Sequence, residues 1–214
     1  MVSTKNDPRR IGTIWVFDLD QPIPLVNPRI GVSFSRVDSE SITKLAALIG
    51  ENSSADILKR FESGRRCYVA QVDEQLAAYG WVSFAEEFVG ELSLHLKLLP
   101  GEAYIWDCVT LPAFRRNHLY SALLTYILLD LRAESLHRVW IGADLDNIAS
   151  QRGIARAGFK AVADMVLGRV EAQRQIWVQG RPDVPESLVA EARRVYLNNR
   201  DKVWLDAQPS ALRG

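Results

Sequence analysis

The stretch from Thr110 to Leu124, TLPAFRRNHLYSALL, constrains this chain more than any other. A strand ends at Pro112, Arg115 and Arg116 follow at once, and a helix begins near Leu119. Leu119, Ala122, Leu123, Tyr126, Ile127 and Leu131 recur at helical spacing and mark one apolar face. The turn before that face is Arg115-Arg116-Asn117-His118. A helix N-terminus presents about four unpaired N–H groups and roughly half a positive charge. With two arginines beside it, such an end suits a phosphate or diphosphate. The same residues also suit a solvated basic turn that caps a buried helix.

With 214 residues the chain is long enough to bury a core, in one domain with appendages or in two small ones. Lys+Arg and Asp+Glu both number 26, so no net charge draws it to nucleic acid or to an anionic membrane. No apolar run approaches the roughly 18 residues of a membrane-spanning helix. Residues 1–10 lack a signal peptide's apolar centre. The two cysteines, Cys67 and Cys108, are not spaced as a metal motif, and a reducing cytoplasm is the expected compartment. No metal site, nucleic-acid partner or membrane partner is expected. Phosphate-loop, dinucleotide, serine-hydrolase and zinc-protease motifs are missing from the sequence.

The remaining pattern predicts mixed α and β structure. Ile11–Leu19 is β-branched and aromatic enough for an extra strand, and the three prolines within residues 20–28 read as a linker. Ile30–Val37 alternates like a half-buried strand. Asp38 or Ser39 caps a helix running to about Ile49, and Ser53–Glu62 is a second short helix. Strands are expected at Cys67–Val72 and Gln75–Phe84, joined by a tight Asp73-Glu74 turn. Leu92, Leu94, Leu96 and Leu98 alternate with polar residues as a one-sided strand, and Ala103–Thr110 is apolar on both faces and therefore central. After the long helix come a strand at Arg138–Leu145 and a helix at Asn147–Ala157 stopped by Gly158. A hairpin at Val162–Val170 and Gln175–Val178, and a helix at Pro185–Tyr196, complete the order.

Two segments resemble a known family. Thr110-Leu111-Pro112 followed by Arg115 resembles the strand end V-x-P and the R/Q-x-x-G-x-G/A turn of the GCN5-related N-acetyltransferase (GNAT) superfamily. His118 and Tyr120 stand where that pattern has small residues. Asn147 precedes Gly158-Phe159 at the family's interval. The resemblance covers roughly residues 29–180. It implies a strongly twisted mixed α/β sheet flanked by helices, with an N-terminal extension at 1–28 and a C-terminal helical tail at 181–214. The implied activity is transfer of an acyl group from acetyl-CoA or another acyl-CoA to the amine of a small molecule or peptide. A homodimer is compatible with it. The alternative is a non-catalytic acyl-CoA-binding or interaction module of the same fold.

The resemblance also implies roles for particular residues. Backbone groups of Cys108, Val109 and Thr110 would bond the pantetheine arm. The turn and first helical residues, Arg115, Arg116, Asn117, His118, Leu119, Tyr120 and Ser121, would hold the diphosphate. Asn147 would reach the pantetheine arm, a role that competes with helix capping. Many members place an acidic tyrosine seven residues after this asparagine, and here that position is Ile154. An amine acceptor must lose a proton, so a base is needed. Asp107, on the central strand, is the first candidate, and it fits a structural hydrogen-bonding role equally. His95 is the second, with the right intrinsic pKa, and it fits a surface histidine as well. Glu102 is expected to be exposed, and Arg152 and Arg156 to face solvent. Trp81, Phe84 and Trp106 suit either the core or an acceptor pocket.

Overall fold

The structure, a computed structural model, describes residues 8–42, 45–46, 54–89, 94–170 and 173–196. Its strands in chain order are β1 (Arg9–Asp18), β2 (Ser33–Arg36), β3 (Arg66–Val72), β4 (Gln75–Ser83), β5 (Glu86–Val89), β6 (Leu94–Lys97), β7 (Glu102–Thr110), β8 (Arg138–Asp144), β9 (Lys160–Val170) and β10 (Gln173–Gly180). The helices are α1 (Ser54–Glu62), α2 (Leu119–Ala133), α3 (Ile148–Arg156) and α4 (Glu186–Tyr196). Eight strands form one sheet in the order β10-β9-β1-β8-β7-β4-β3-β2, and β5 pairs with β6 in a separate ribbon. The β7–β8 pair is parallel, joined by the α2 crossover. The other pairings are antiparallel. This is the mixed sheet flanked by helices that the resemblance implies.

Both faces of the sheet are covered, which explains the apolar runs. Trp15, Phe17, Ile105 and Ile141 pack under α2 and α3, against Leu123, Leu128 and Ile154. On the other face Ile14, Val16, Tyr104 and Trp140 pack with Val189, Ala192, Val195 and Tyr196 of α4. A third cluster joins α1 to β3 and β4 through Ile57, Cys67, Val69 and Trp81. Helix α2 is buried beyond its expected face, with Leu124 and Leu128 also fully inside.

Residues 1–28, expected as an extension, contain β1, which lies inside the sheet between β8 and β9. Its six consecutive buried residues, Gly12 to Phe17, match a strand covered on two sides. The tail helix α4 is likewise built into the core. The strand expected over residues 30–37 is shorter, Ser33–Arg36. Asp38 caps a short 3₁₀ turn at Ser39–Ser41, accepting the Ser41 N–H at 2.8 Å. Most of the helix expected as far as Ile49, and Leu92 of the alternating strand, lie outside the described residues.

One expectation is corrected. Glu102 is 2% exposed rather than at the surface. Arg194 of α4 reaches over it, Nη2 donating to Oε1 at 2.5 Å. Leu99 N–H donates to its other oxygen at 2.8 Å. Trp140 Nε1 also donates to Oε1 at 3.4 Å. A carboxylate so deep needs such partners, and the charged one comes from a helix remote in sequence.

Candidate active site

β7 and β8 pair only from Glu102↔Arg138 to Ile105↔Ile141. Beyond that point the strands part, so the β7 edge from Trp106 to Thr110 has no ladder partner on that side. On its other side β7 stays paired to β4 through Val109 and Thr110, with a register shift between Tyr79 and Trp81. The extra residues are Asp107 and Cys108, set opposite Gly80. Asp107 adopts φ +43, the left-handed region. Gly80 permits this close approach, since a Cβ there would stand 2.8 Å from the Cys108 sulfur. Bulges of this kind re-aim side chains and end pairing.

A cavity of about 640 Å³ runs through the opening. Its walls come from both faces of the sheet. Cys108, Tyr120, Ile141 and Ala143 belong to the α2–α3 side, and Tyr104, Trp106, Met165 and Tyr196 to the α4 side. Asp107, Asn147 and Ser150 also line it.

At the α2 end, Arg116 and His118 both take left-handed backbone, at φ +67 and φ +62. His118 therefore occupies a conformation that glycine adopts without strain. Its side chain makes no capping bond, so the Leu119, Tyr120 and Ser121 amides precede the first helical hydrogen bond uncapped by it. The turn is held by its neighbours. Asn117 Nδ2 donates to Phe114 O at 3.2 Å, Arg115 Nε donates to Thr110 O at 3.1 Å, and Arg29 N–H donates to Asn117 O at 3.1 Å. Arg115 and Arg116 are exposed, as are Arg152 and Arg156. Desolvation, then the charges of Arg156 and Arg29, hold the His118 imidazole below its ordinary pKa. The side chains of Leu119 and Ser121 are buried, so they point away from the turn into the protein.

Asn147 caps α3, its Oδ1 accepting the Ser150 N–H at 3.0 Å while the residue lines the cavity. Tyr120 spans the two helices and its hydroxyl lies 3.1 Å from the Ser150 hydroxyl. Burial pushes its phenol pKa well above the ordinary value. Ile154 is fully buried in the core between sheet and helices. No acid reaches the cavity from that position.

Asp107 lines the cavity and forms an ion pair with Arg60 of α1, Nη1 donating to Oδ2 at 2.6 Å. The guanidinium also lies 4.9 Å from the Trp81 ring centre and 4.7 Å from that of Trp106. His95 does not join them: it is exposed on β6 and packs on Phe88, ring centres 4.6 Å apart. Sequence reasoning missed several lining residues, namely Arg60, Glu87, Tyr104, Met165 and Tyr196. Glu87 is buried and held by Arg65 at 2.6 and 3.1 Å. No local motif marks these residues, because each comes from a different element.

The β7 strand, the turn at Arg115 to His118 and the α2 helix follow one another as the first resembling segment implies. The family model for acetyltransferases (GNAT) matches residues 38–159, more than half of the chain. The chain belongs to the GNAT acetyltransferase family. Two solved GNAT structures are similar in fold. The GCN5-related N-acetyltransferase from Sphaerobacter thermophilus has a TM-score of 0.57 at 16% identity, over 82% of this chain and 54% of its own. An acetyltransferase from Colwellia psychrerythraea has a TM-score of 0.50 at 15% identity, over 82% of this chain and 57% of its own. This GNAT chain thus spans little more than half the length of either. No curated protein gave a significant sequence match.

Proposed function

We propose that this GNAT chain transfers an acyl group from an acyl-CoA, most simply acetyl-CoA, to an amine of a small molecule or peptide. The observation that carries this reading is the unpaired β7 edge, Trp106 to Thr110, opening into a cavity that crosses the sheet beside the N-terminus of α2. The residues fit an acyl-CoA in three respects. The free edge offers main-chain groups of Cys108 and Thr110 to an amide-bearing arm, while Val109 faces β4 in its pair with Tyr79. The α2 amides, with Arg115, Arg116 and His118, offer an anion site with left-handed backbone where close approach is needed. Asn117 keeps that turn in shape, and Asn147 borders the opening between them.

An acyl-CoA supplies an activated thioester carbonyl. This chain's residues do the rest. The β7 edge orients the arm, and the walls of Trp106 and Met165 limit water. Asp107, one oxygen held by Arg60, takes the proton that the amine gives up, directly or through one water. His95 has no part in this scheme, because it stands outside the cavity.

Calorimetry with CoA tests the base of the reading, and binding in the micromolar to millimolar range is expected. Lack of heat at high CoA concentration would end it. The burial of Ile154 in place of an acid favours a second reading, a module that binds acyl-CoA without turning it over. A screen of primary amines, aminoglycosides, polyamines and amino acids with acetyl-CoA separates the two, since only an enzyme releases free thiol.

A further inference from the structure

The α4 side of the cavity carries two buried phenols whose hydroxyls interact with each other. Tyr196, at the end of α4 and beyond the residues that the family model matches, is 2% exposed and lines the cavity. Its hydroxyl is buried and has no hydrogen bond of ordinary geometry among the described residues. Tyr104 of β7 faces it, the rings edge to face with centres 6.1 Å apart. The two hydroxyls converge on Gly142, where a Cβ would stand 3.4 Å from each. Gly142 is the residue after Ile141, the last β8 residue paired to β7. Both phenols therefore sit at the mouth of the parted strands, on the face opposite Tyr120. Burial raises the pKa of each well above the ordinary tyrosine value, so both stay protonated and remain donors.

Resting on the acyl-CoA reading above, we propose that Tyr196 and Tyr104 form a donor pair for the sulfur of the bound thioester, taking the place of the tyrosine absent at Ile154. As the amine nitrogen bonds to the carbonyl carbon, the carbon–sulfur bond breaks and its electron pair goes to sulfur. The two O–H groups hydrogen-bond to that developing thiolate and keep their own protons, as their raised pKa values require. The amine's proton leaves through Asp107, and the thiolate takes a proton from solvent on release. Donors fixed in advance where charge develops need no reorganisation during the reaction. Leu94, Met165 and Trp106 line the same side and limit solvent there.

The test uses CoA itself, not turnover. The thiol of CoA bound to the full chain is titrated by its thiolate ultraviolet absorbance, with free CoA as reference. The pair should lower the bound thiol's pKa by about one unit, a tenfold gain in the thiolate-to-thiol ratio near neutrality. In Tyr196→Phe the pKa should return most of the way to that of free CoA, with CoA affinity at acidic pH unchanged. Tyr104→Phe should act in the same direction. Tyr196→Phe keeps the ring and its packing on Tyr104, so it should melt close to the native chain. Binding with the same thiol pKa in native chain and Tyr196→Phe would overturn the tyrosine assignment alone. Lack of CoA binding by the native chain would overturn this proposal and the reading beneath it.

Discussion

The ring of Tyr120 occupies the space that a side chain on Gly153 would need. A Cβ at Gly153 would stand 2.4 Å from Tyr120 Cδ1 and 2.8 Å from Cε1. A large residue on α2, where the family pattern has a small one, is matched by a missing side chain on α3. The two helices keep their contact, and the Tyr120 hydroxyl reaches Ser150.

Gly153→Ala should therefore destabilise the chain by about 1–3 kcal/mol through overpacking. Gly153→Ala in a Tyr120→Ala background should cost much less. A double-mutant cycle by urea unfolding measures this, with a coupling of about 0.5–3 kcal/mol expected. Additive losses would mean that the ring moves aside freely.

His118 holds φ +62, at a strain of about 1–2 kcal/mol for a residue with a Cβ. His118→Gly removes that strain but adds about 0.5–1 kcal/mol of chain entropy cost. The expected net gain of up to about 1 kcal/mol raises Tm by about 2–4 °C. His118→Ala keeps the strain and should show no such gain.

Arg115 has two possible uses, because its Nε already binds Thr110 O. Arg115→Ala should weaken CoA by about 1.5–3 kcal/mol if the guanidinium also meets phosphate. Pantetheine, which lacks the diphosphate, should lose far less. Calorimetry on both ligands decides, and equal losses would leave Arg115 as a support for the strand end alone.

Asp107→Asn and Arg60→Gln break the same ion pair from opposite sides. Both should lower Tm by a few degrees, the pair being partly buried. Only Asp107→Asn removes a proton acceptor, so only it should reduce turnover by about 10²–10⁴-fold on an amine found by screening. Equal turnover in the two variants would dismiss Asp107 as the base.

Glu134 gives an acid-side prediction. Hydrogen bonding from Arg66 holds its carboxyl below the ordinary 4.5, burial opposes this, and Arg36 adds a second hydrogen bond. A depressed folded-state pKa means stability present above about 4.5 and lost as pH falls further. Native chain should melt above Glu134→Gln at pH 7, and the gap should close in acid. A gap independent of pH would show that charge plays no part.

Much of this fold was decided locally, and those parts are legible in the residues. The apolar spacing of Leu119 to Leu131 made α2 whatever it packed on. Asp73 and Glu74, at φ +48 and +64, turn the β3–β4 hairpin within its own few residues, and Gly158 at φ +91 ends the segment after α3. The basic turn and Asn147 could be found for the same reason, since their geometry depends on near neighbours in the chain. Other features depended on pairings between distant segments. The place of β1 between β8 and β9 follows from which strand edges were free, not from its own run of apolar residues. Glu102 is buried because Arg194, 92 residues away, comes to neutralise it, and Asp107 meets Arg60 across 47 residues. The meeting of Tyr104 with Tyr196 at Gly142 is of the same kind. Backbone propensity and hydrophobic period act over a few residues and were written in the sequence. Burial and ion pairing act on whatever the closed sheet brings together, and only the tertiary structure decided them.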